Sequence, residues 1–462
     1  MKKLHLNIED IFNIPTAVIY NPDMFKSINH VSIDSRKIKK NTLFIAIKGE
    51  RFDGHNFIDQ VVKNGAAAIV INEKYLKKIS DYDIPVITVK DTIAALGEVA
   101  KLWRAKLKTK VIGITGSAGK TTTKEILATL LSEKFKVNKT SGNNNNHIGV
   151  PLTILSTNEK HDVLVAELGT NHFGEIAYTA AIASPDLSLI TNIGDSHLEF
   201  LKNRKGVFKE KSALFNETIK GSGKVFINND DPILRTYGKR IKNKVTYALK
   251  EKASYKTTII GYDKFARPQI SIKAKGKSVT TTLPISGEKN VLNFTAAFAI
   301  ASELGLTNLQ LLKAVKKIKS YNKRLEIKNH KSFTLINDSY NANPDSMKSS
   351  LEILSKMESR KRKIAVLGDM FELGKESKNK HLELANVINK TNVNEVYSTG
   401  KMMKLMNQKL NGKTKIHQHF DERESLKKHL RTFDIQKSAV LVKGSRGMKM
   451  EEFVSVIESS KN

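Results

Sequence analysis

Short, continuous apolar runs alternate along this chain with stretches whose apolar residues recur every third or fourth position. The first pattern reads as strands covered on both faces, the second as helices packed against them. Up to about residue 88 the order is VSIDSR, TLFIAI, FIDQVVKNG and AAAIVI, with turns at Asn41-Thr42 and Lys48-Gly49-Glu50-Arg51. Segment 91–106 is expected to be helical, with Ile93, Leu96, Val99 and Leu102 roughly on one face. Strands follow at 111–115, 163–166 and 187–191, and the Thr- and Ile-rich alternation over 253–283 predicts antiparallel strands appended to the same sheet. From near Tyr321, strands at 334–336, 364–367, 395–398 and 439–442 alternate with helical segments in a second βαβ series. The expectation is an α/β protein of three domains, 1–88, 89–319 around a parallel sheet, and a Rossmann-like 320–462.

Length and composition narrow this further. At roughly 100–200 residues per domain, 462 residues suit two to four domains. Apolar residues at 40% suit a globular chain, and 26 Gly with 9 Pro exclude collagen-like and linker classes. Cysteine is absent, which removes disulfides, Cys-ligated metals and thiol nucleophiles. Two lysines open the chain, but Glu9 and Asp10 interrupt any signal-like apolar core, and no stretch approaches the ~18 apolar residues a span requires. A soluble, cytoplasmic protein without membrane insertion is expected.

Lys and Arg exceed Asp and Glu by 78 − 46, a net charge of +32. Such a field attracts phosphates and nucleic acid. The lysines are scattered, however (Lys37, Lys39, Lys40, Lys108, Lys110, Lys202, Lys205), and aromatics are not interleaved with them as a base-stacking surface requires. The excess reads as a compositional habit, and nucleic acid is not expected as a partner.

The strongest motif is GITGSAGKTTT over 113–123. A buried strand feeds a glycine-rich turn, and Lys120 opens a helix with Ile126, Leu127, Leu130 and Leu131 on one stripe. Gly116 and Gly119 let backbone N–H groups converge on an anion at a helix N-terminus. Lys120 can reach β- and γ-phosphates, and the Thr121 hydroxyl can ligate Mg²⁺. The general pattern asks for glycine at 114, where this chain has Ile114, with Gly113 one residue early. On this motif alone kinases, GTPases, helicases and ligases all remain open. Glu167 ends one apolar strand, where a carboxylate near such a loop supports Mg²⁺ or caps a turn. His197 follows the next strand and reads equally as a ligand or an ordinary histidine, while Lys211 reads on spacing as one more solvated lysine.

With these surroundings the TGSAGKTT loop resembles the Mur ligase family, ATP-dependent amide-forming enzymes of peptidoglycan precursor synthesis, and the resemblance spans essentially the whole chain. VSIDSRKIKKNTLFIAIKGERFDGHNFI is similar to that family's UDP-binding domain, and TSGNNNNHIGVPLT to its substrate loop. AELGTNHFGEI and ITNIGDSHLEFL are similar to its metal-binding segments, and GEKNVLNFTAAFAIA to its adenine side. NDSYNANPDSMKSSL, VLGDMFELG and VLVKGSRGMKME resemble the last ligase of the series, which joins D-alanyl-D-alanine to UDP-N-acetylmuramoyl-tripeptide (UDP-MurNAc-tripeptide). The diaminopimelate-adding sibling carries N-P-R where this chain reads Asn343-Pro344-Asp345. Folylpolyglutamate synthetase shares the central domain, but the SIDSR and NANPDSM segments favour the last ligase of the Mur series.

The resemblance implies that Gly116, Ser117, Ala118, Gly119, Lys120, Thr121 and Thr122 cradle ATP phosphates. It implies that Thr121 and Glu167 hold one Mg²⁺, that His197 holds a second, and that Lys211 is carbamylated to support the metal site. Asn290 and Asn293 would face adenine, and Arg324 and Asp338 would reach the nucleotide when the domains close. Ser35, Arg36, Thr140, Asn143 and Asn146 would meet the UDP substrate, with D-Ala-D-Ala gripped around Asn343, Asp345 and 443–446, in an enzyme working as a monomer. Two departures stand out: Lys289 where histidine is common, and His147 where glutamate is frequent.

Overall fold

A computed structural model describes residues 4–461 except 79–80, 264, 275, 321–322 and 412–415. Three α/β units follow one another, each built on its own sheet. The first sheet runs in the order Val18–Tyr20, Val86–Val89, Ala68–Asn72, Thr42–Ile45, His30–Ser32, parallel except for its first pair. Its last strand in sequence, Val86–Val89, straddles the 88/89 division. The VSIDSR segment is a strand only at His30–Ser32, because Asp34 accepts from Arg36 N and turns the chain into a short 3₁₀ helix, Ser35–Lys37.

The middle sheet carries the site. Among the described residues its order is Lys277–Thr282, Pro268–Ala274, Tyr255–Tyr262, Lys244–Ala248, Lys224–Asn228, Leu187–Ile190, Lys110–Thr115, Val163–Glu167, Val137–Lys139. The last three strands in sequence form the expected antiparallel ribbon, exposed and buried positions alternating along Tyr255–Tyr262. The remaining strands are parallel, and residues 111–115 and 163–167 are buried throughout, as their unbroken apolar runs require. Lys110–Thr115 lies between Val163–Glu167 and Leu187–Ile190, so successive crossovers leave it in opposite directions. A crevice opens at the carboxyl ends of strands at such a reversal.

Asp91 caps helix Thr92–Lys106 by accepting from Ile93 N and Ala94 N. The buried face is Ala95, Leu96, Val99, Ala100 and Trp103, with Ile93 and Leu102 at its margin, so the expected stripe is rotated. Packing explains the shift. The helix crosses Gly149–Leu155 and Glu175–Ala183, and at Gly97 even a Cβ would collide with the Tyr178 hydroxyl, so small residues face that contact.

The third sheet orders Glu326–Asn329, Thr334–Asp338, Ser438–Lys443, Arg362–Gly368, Glu395–Thr399, Ile416–Phe420, antiparallel only at its first pair. Asn343 and Ser346 form a reciprocal cap on helix Pro344–Lys356, with Pro344 at its first position. The expected start of this zone at Tyr321 lies outside the described residues. Among the described residues no helix is long and apolar enough to cross a membrane.

Candidate active site

The glycine-rich loop leaves Lys110–Thr115 and enters helix Lys120–Leu131. Gly116 has φ 148°, and a Cβ there would collide with Thr191 Oγ1 and lie 3.0 Å from Thr191 N. Only glycine lets the loop approach the neighbouring strand this closely. Gly113 meets a different demand, since a Cβ would lie 2.8 Å from Leu214 Cδ1, and Ile114 is buried in the sheet. Asn192 braces the loop: its carbonyl accepts from Ser117 N at 3.1 Å and its Oδ1 from Ala118 N at 2.9 Å. Ser117 Oγ is bonded to Gly194 and Ser196.

Lys120 Nζ donates to Gly116 O at 2.7 Å, folded back over its own loop. Desolvation lowers its pKa, and Arg324 adds to this while Glu167 and Glu372 oppose it. Thr121 Oγ1 donates to Glu167 Oε1 at 3.1 Å, and Asn145 Nδ2 donates to the same oxygen at 2.9 Å. The other oxygen, Oε2, is buried without a hydrogen bond, 3.5 Å from Lys124 Nζ. A buried carboxylate oxygen beside a hydroxyl and a phosphate-shaped loop suits a cation that takes its other ligands from phosphate and water, as Mg²⁺ does. Among the described residues no group of three or more His, Asp and Glu is preassembled for a metal.

His197 caps the short helix Leu198–Leu201 at φ 53°, and its Nδ1 lies 2.8 Å from Glu372 Oε2 of the third unit. His197 holds the Glu372 carboxyl below its usual pKa, with help from Lys120. Lys211 lies on helix Arg204–Lys220, fully buried, and its Nζ has no hydrogen-bond partner. Desolvation, then repulsion from Lys120, pushes its pKa well below the ordinary lysine value against the pull of Glu210.

A cavity of about 620 Å³ separates the middle and third units. Residues 117–122, Asn143, Glu167, His197, Asn290 and Asn293 line it from one side, and Arg324, Asp338, Tyr340 and Glu372 from the other. The Arg324 guanidinium stacks on Tyr340 at 3.9 Å, with its Nε lacking a hydrogen-bond partner. Asp338 accepts from Leu325 N, Ser350 Oγ and, at 2.5 Å, Lys443 Nζ. Asn293 sits against Gly119, where a Cβ would lie 2.6 Å from its Oδ1. Polar contacts across the cleft, among the described residues, include His197 with Glu372, Asp195 with Lys380, and Lys289 Nζ donating to Asp345 O at 2.6 Å. The lysine at 289 therefore ties helix Glu288–Glu303 to the helix carrying Asp345.

Other expected residues lie apart from the cavity lining. Ser35 and Arg36 sit beyond strand His30–Ser32 on the first sheet, Arg36 exposed and paired with Asp34. Thr140 is buried behind Glu167, accepting from its N–H, and Asn146 caps the turn into Gly149–Leu155. Sequence reasoning missed Lys124, Asn145 and Glu372. Lys124 is fully buried and donates to the carbonyls of Thr140 and Gly142. Its place on the Leu127–Leu131 stripe was the available signal. Glu372 lay inside the VLGDMFELG segment, but nothing in that segment showed that it would meet His197, because it arrives from another sheet.

Known families match all three units: the Mur ligase family catalytic domain over 27–104, the Mur ligase middle domain over 114–301, and the Mur ligase glutamate ligase domain over 323–446. This chain belongs to the Mur ligase family. Among Mur ligases it is 35% identical over 459 residues to the UDP-N-acetylmuramoyl-tripeptide–D-alanyl-D-alanine ligase of Bacillus subtilis, covering 98% of each chain. The Escherichia coli ligase of the same name is 32% identical over 440 residues, 94% of each. MurF from Acinetobacter baumannii superposes with TM-score 0.88 at 29% identity, covering 99% of each chain. The Thermotoga maritima MurF ligase in complex with ADP gives 0.83 at 30% identity, covering 93% of this Mur ligase and 97% of that one.

Proposed function

We propose that this Mur ligase joins D-alanyl-D-alanine to UDP-MurNAc-tripeptide at the expense of ATP, giving UDP-MurNAc-pentapeptide, ADP and phosphate in peptidoglycan precursor synthesis. One observation carries the reading. The glycine-rich loop faces, across a single cavity, a third unit that supplies Arg324 and Asp338. In the first step a terminal carboxylate oxygen of the tripeptide attacks the γ-phosphorus, the bond to the β–γ bridging oxygen breaks, and ADP leaves an acyl phosphate. The acceptor nitrogen, once its ammonium has given up a proton to solvent, attacks the acyl carbon, the C–O bond to phosphate breaks, and the nitrogen loses a second proton.

Lys120 turns from Gly116 O to the transferring phosphoryl oxygens, and the loop N–H groups from Gly116 to Thr122 cradle the rest. Thr121 and Glu167 would hold one Mg²⁺ and His197 a second, which when bound supply charge neutralisation at those oxygens. The buried Lys211 amine, favouring its neutral form, is suited to add CO₂: an N–C bond forms, a proton leaves, and the carbamate is anionic. Asn290 and Asn293 face adenine. Ser35, Arg36, Thr140, Asn143 and Asn146 serve the UDP substrate, Thr140 and Asn146 by shaping the loop. The units 1–88, 89–319 and 320–462 then bind UDP substrate, ATP and acceptor in turn. The enzyme would act in the cytoplasm, where nucleotide-linked substrates of this kind are found, and as a monomer.

The test is phosphate release from ATP with UDP-MurNAc-tripeptide and D-Ala-D-Ala omitted in turn. Release that requires both, with a UDP-linked pentapeptide as product, is expected. Release indifferent to them but raised by nucleic acid would overturn the reading.

A further inference from the structure

We propose that Glu372 receives the ammonium end of the D-alanyl-D-alanine acceptor, an inference that rests on the ligase reading above. Among the described residues, seven carboxylates line the cavity. Asp338 is occupied by the donors already described, while Glu167 is committed through one oxygen to Thr121 and Asn145 and through the other to the cation site. Asp231 caps helix Pro232–Gly238 and accepts from Ile193 N, and Asp230 accepts from three backbone N–H groups. Asp195 is held between Arg204 and Lys380. Asp345 packs against Gly194 in the field of Arg204 and Lys289.

Glu372 differs in the nature of its partners. It lies 2.8 Å from the His197 imidazole and within the field of the Lys120 ammonium, the two groups that metal and phosphate would claim. Once they turn to metal and phosphate, the Glu372 carboxylate loses both of its present partners beside the polyanionic nucleotide. The acceptor ammonium is the reactant whose charge meets that need, and Glu372 would hold it next to the acyl phosphate. The side chain is 49% exposed, so an incoming ligand can reach it. Its loop is firmly held: Met370 N donates to His381 Nε2 at 2.9 Å and Phe371 N to Ser445 Oγ at 2.8 Å. Glu372 itself sits at φ 62°, a backbone state that a glutamate adopts only when its surroundings impose it. The third unit thereby presents this carboxylate rigidly to the middle unit.

Glu372→Gln keeps the shape and removes the charge, and Glu372→Asp keeps the charge. Two reactions separate docking from phosphoryl chemistry. One is pentapeptide synthesis as a function of D-Ala-D-Ala concentration. The other is trapping of the acyl phosphate by hydroxylamine, an amine largely uncharged at neutral pH, with ATP and UDP-MurNAc-tripeptide alone. For Glu372→Gln, kcat/KM for D-Ala-D-Ala is expected to fall roughly 10- to 100-fold, the scale of one charged hydrogen bond. Hydroxamate formation should stay near the wild-type rate, and Glu372→Asp should recover part of the loss. An unchanged kcat/KM for D-Ala-D-Ala overturns the proposal. So does a parallel loss of hydroxamate formation, which would put Glu372 on the metal or closure side. A wild-type protein that yields no UDP-linked hydroxamate or pentapeptide removes the ligase reading and this inference with it.

Discussion

Replacing Lys211 by methionine removes a fully buried amine for which the fold provides no hydrogen-bond partner. Methionine fills nearly the same volume, so the change tests the polar end of the side chain and not its packing. An unsatisfied buried polar group costs about 1–3 kcal/mol. The depressed pKa adds a proton-linked cost, caused by desolvation and by Lys120 and partly offset by Glu210. The sign is fixed by linkage: the unfolded lysine titrates near ~10.4 and the folded one lower, so between these values the unfolded state binds more protons. Stability of the unmodified wild type therefore rises with pH across that window, and its deficit against Lys211→Met narrows. In CO₂-free buffer at neutral pH the variant is expected to be more stable by at least about 1–3 kcal/mol. For a unit of this size that is an upward shift of about 2–12 °C in the melting transition. Bicarbonate should raise the wild-type transition and leave the variant unmoved, as expected of a ligand that binds only the native lysine. Ligase activity of the variant should fall at least ~100-fold. Differential scanning calorimetry in the two buffers, with phosphate release alongside, decides the matter. A variant that melts lower than wild type without CO₂, or that keeps activity within tenfold, refutes the reasoning.

Lys120→Ala should lower kcat by about 10²–10³, the effect of losing one preorganised donor, while the melting transition holds, because its one hydrogen bond is to Gly116 O. Gly116→Ala forces a Cβ onto Thr191 at φ 148°; it should cost about 1–3 kcal/mol in urea unfolding and abolish binding of a fluorescent ATP analogue. Lys124→Met strips two carbonyls of their donor and leaves Glu167 and Glu125 without the buried cation between them. Calorimetry should show about 3–5 kcal/mol of destabilisation, and an unchanged melting transition would mean that Lys124 supports nothing.

What the amino-acid order determined by itself is whatever depends on neighbours within a turn or a strand. The run 111–115 had to be a buried strand because it is apolar on both faces, and the glycines at 116 and 119 with Lys120 and Thr121 had to make an anion-binding turn at a helix start. The antiparallel ribbon and the caps at Asp91 and Asn343 are local in the same sense. Several motifs in one order also sufficed to point to the family that the three matched domains establish. Tertiary structure decided the rest, because periodicity records which face is buried and not what it is buried against. The face of helix Thr92–Lys106 turned toward Ala95 and Ala100 because another helix presses on Gly97. Lys211 looks like a solvated lysine until the packing of its helix buries it, and Lys124, on an apolar stripe, meets Glu167 only because the strand order brings that carboxylate to it. Asn145 reaches Glu167, and Glu372 reaches His197, only because crossovers and the approach of two separate sheets bring distant segments to one cleft. Local chemistry thus gave the parts of the site, and long-range packing, which no short window of sequence encodes, chose which of them face each other.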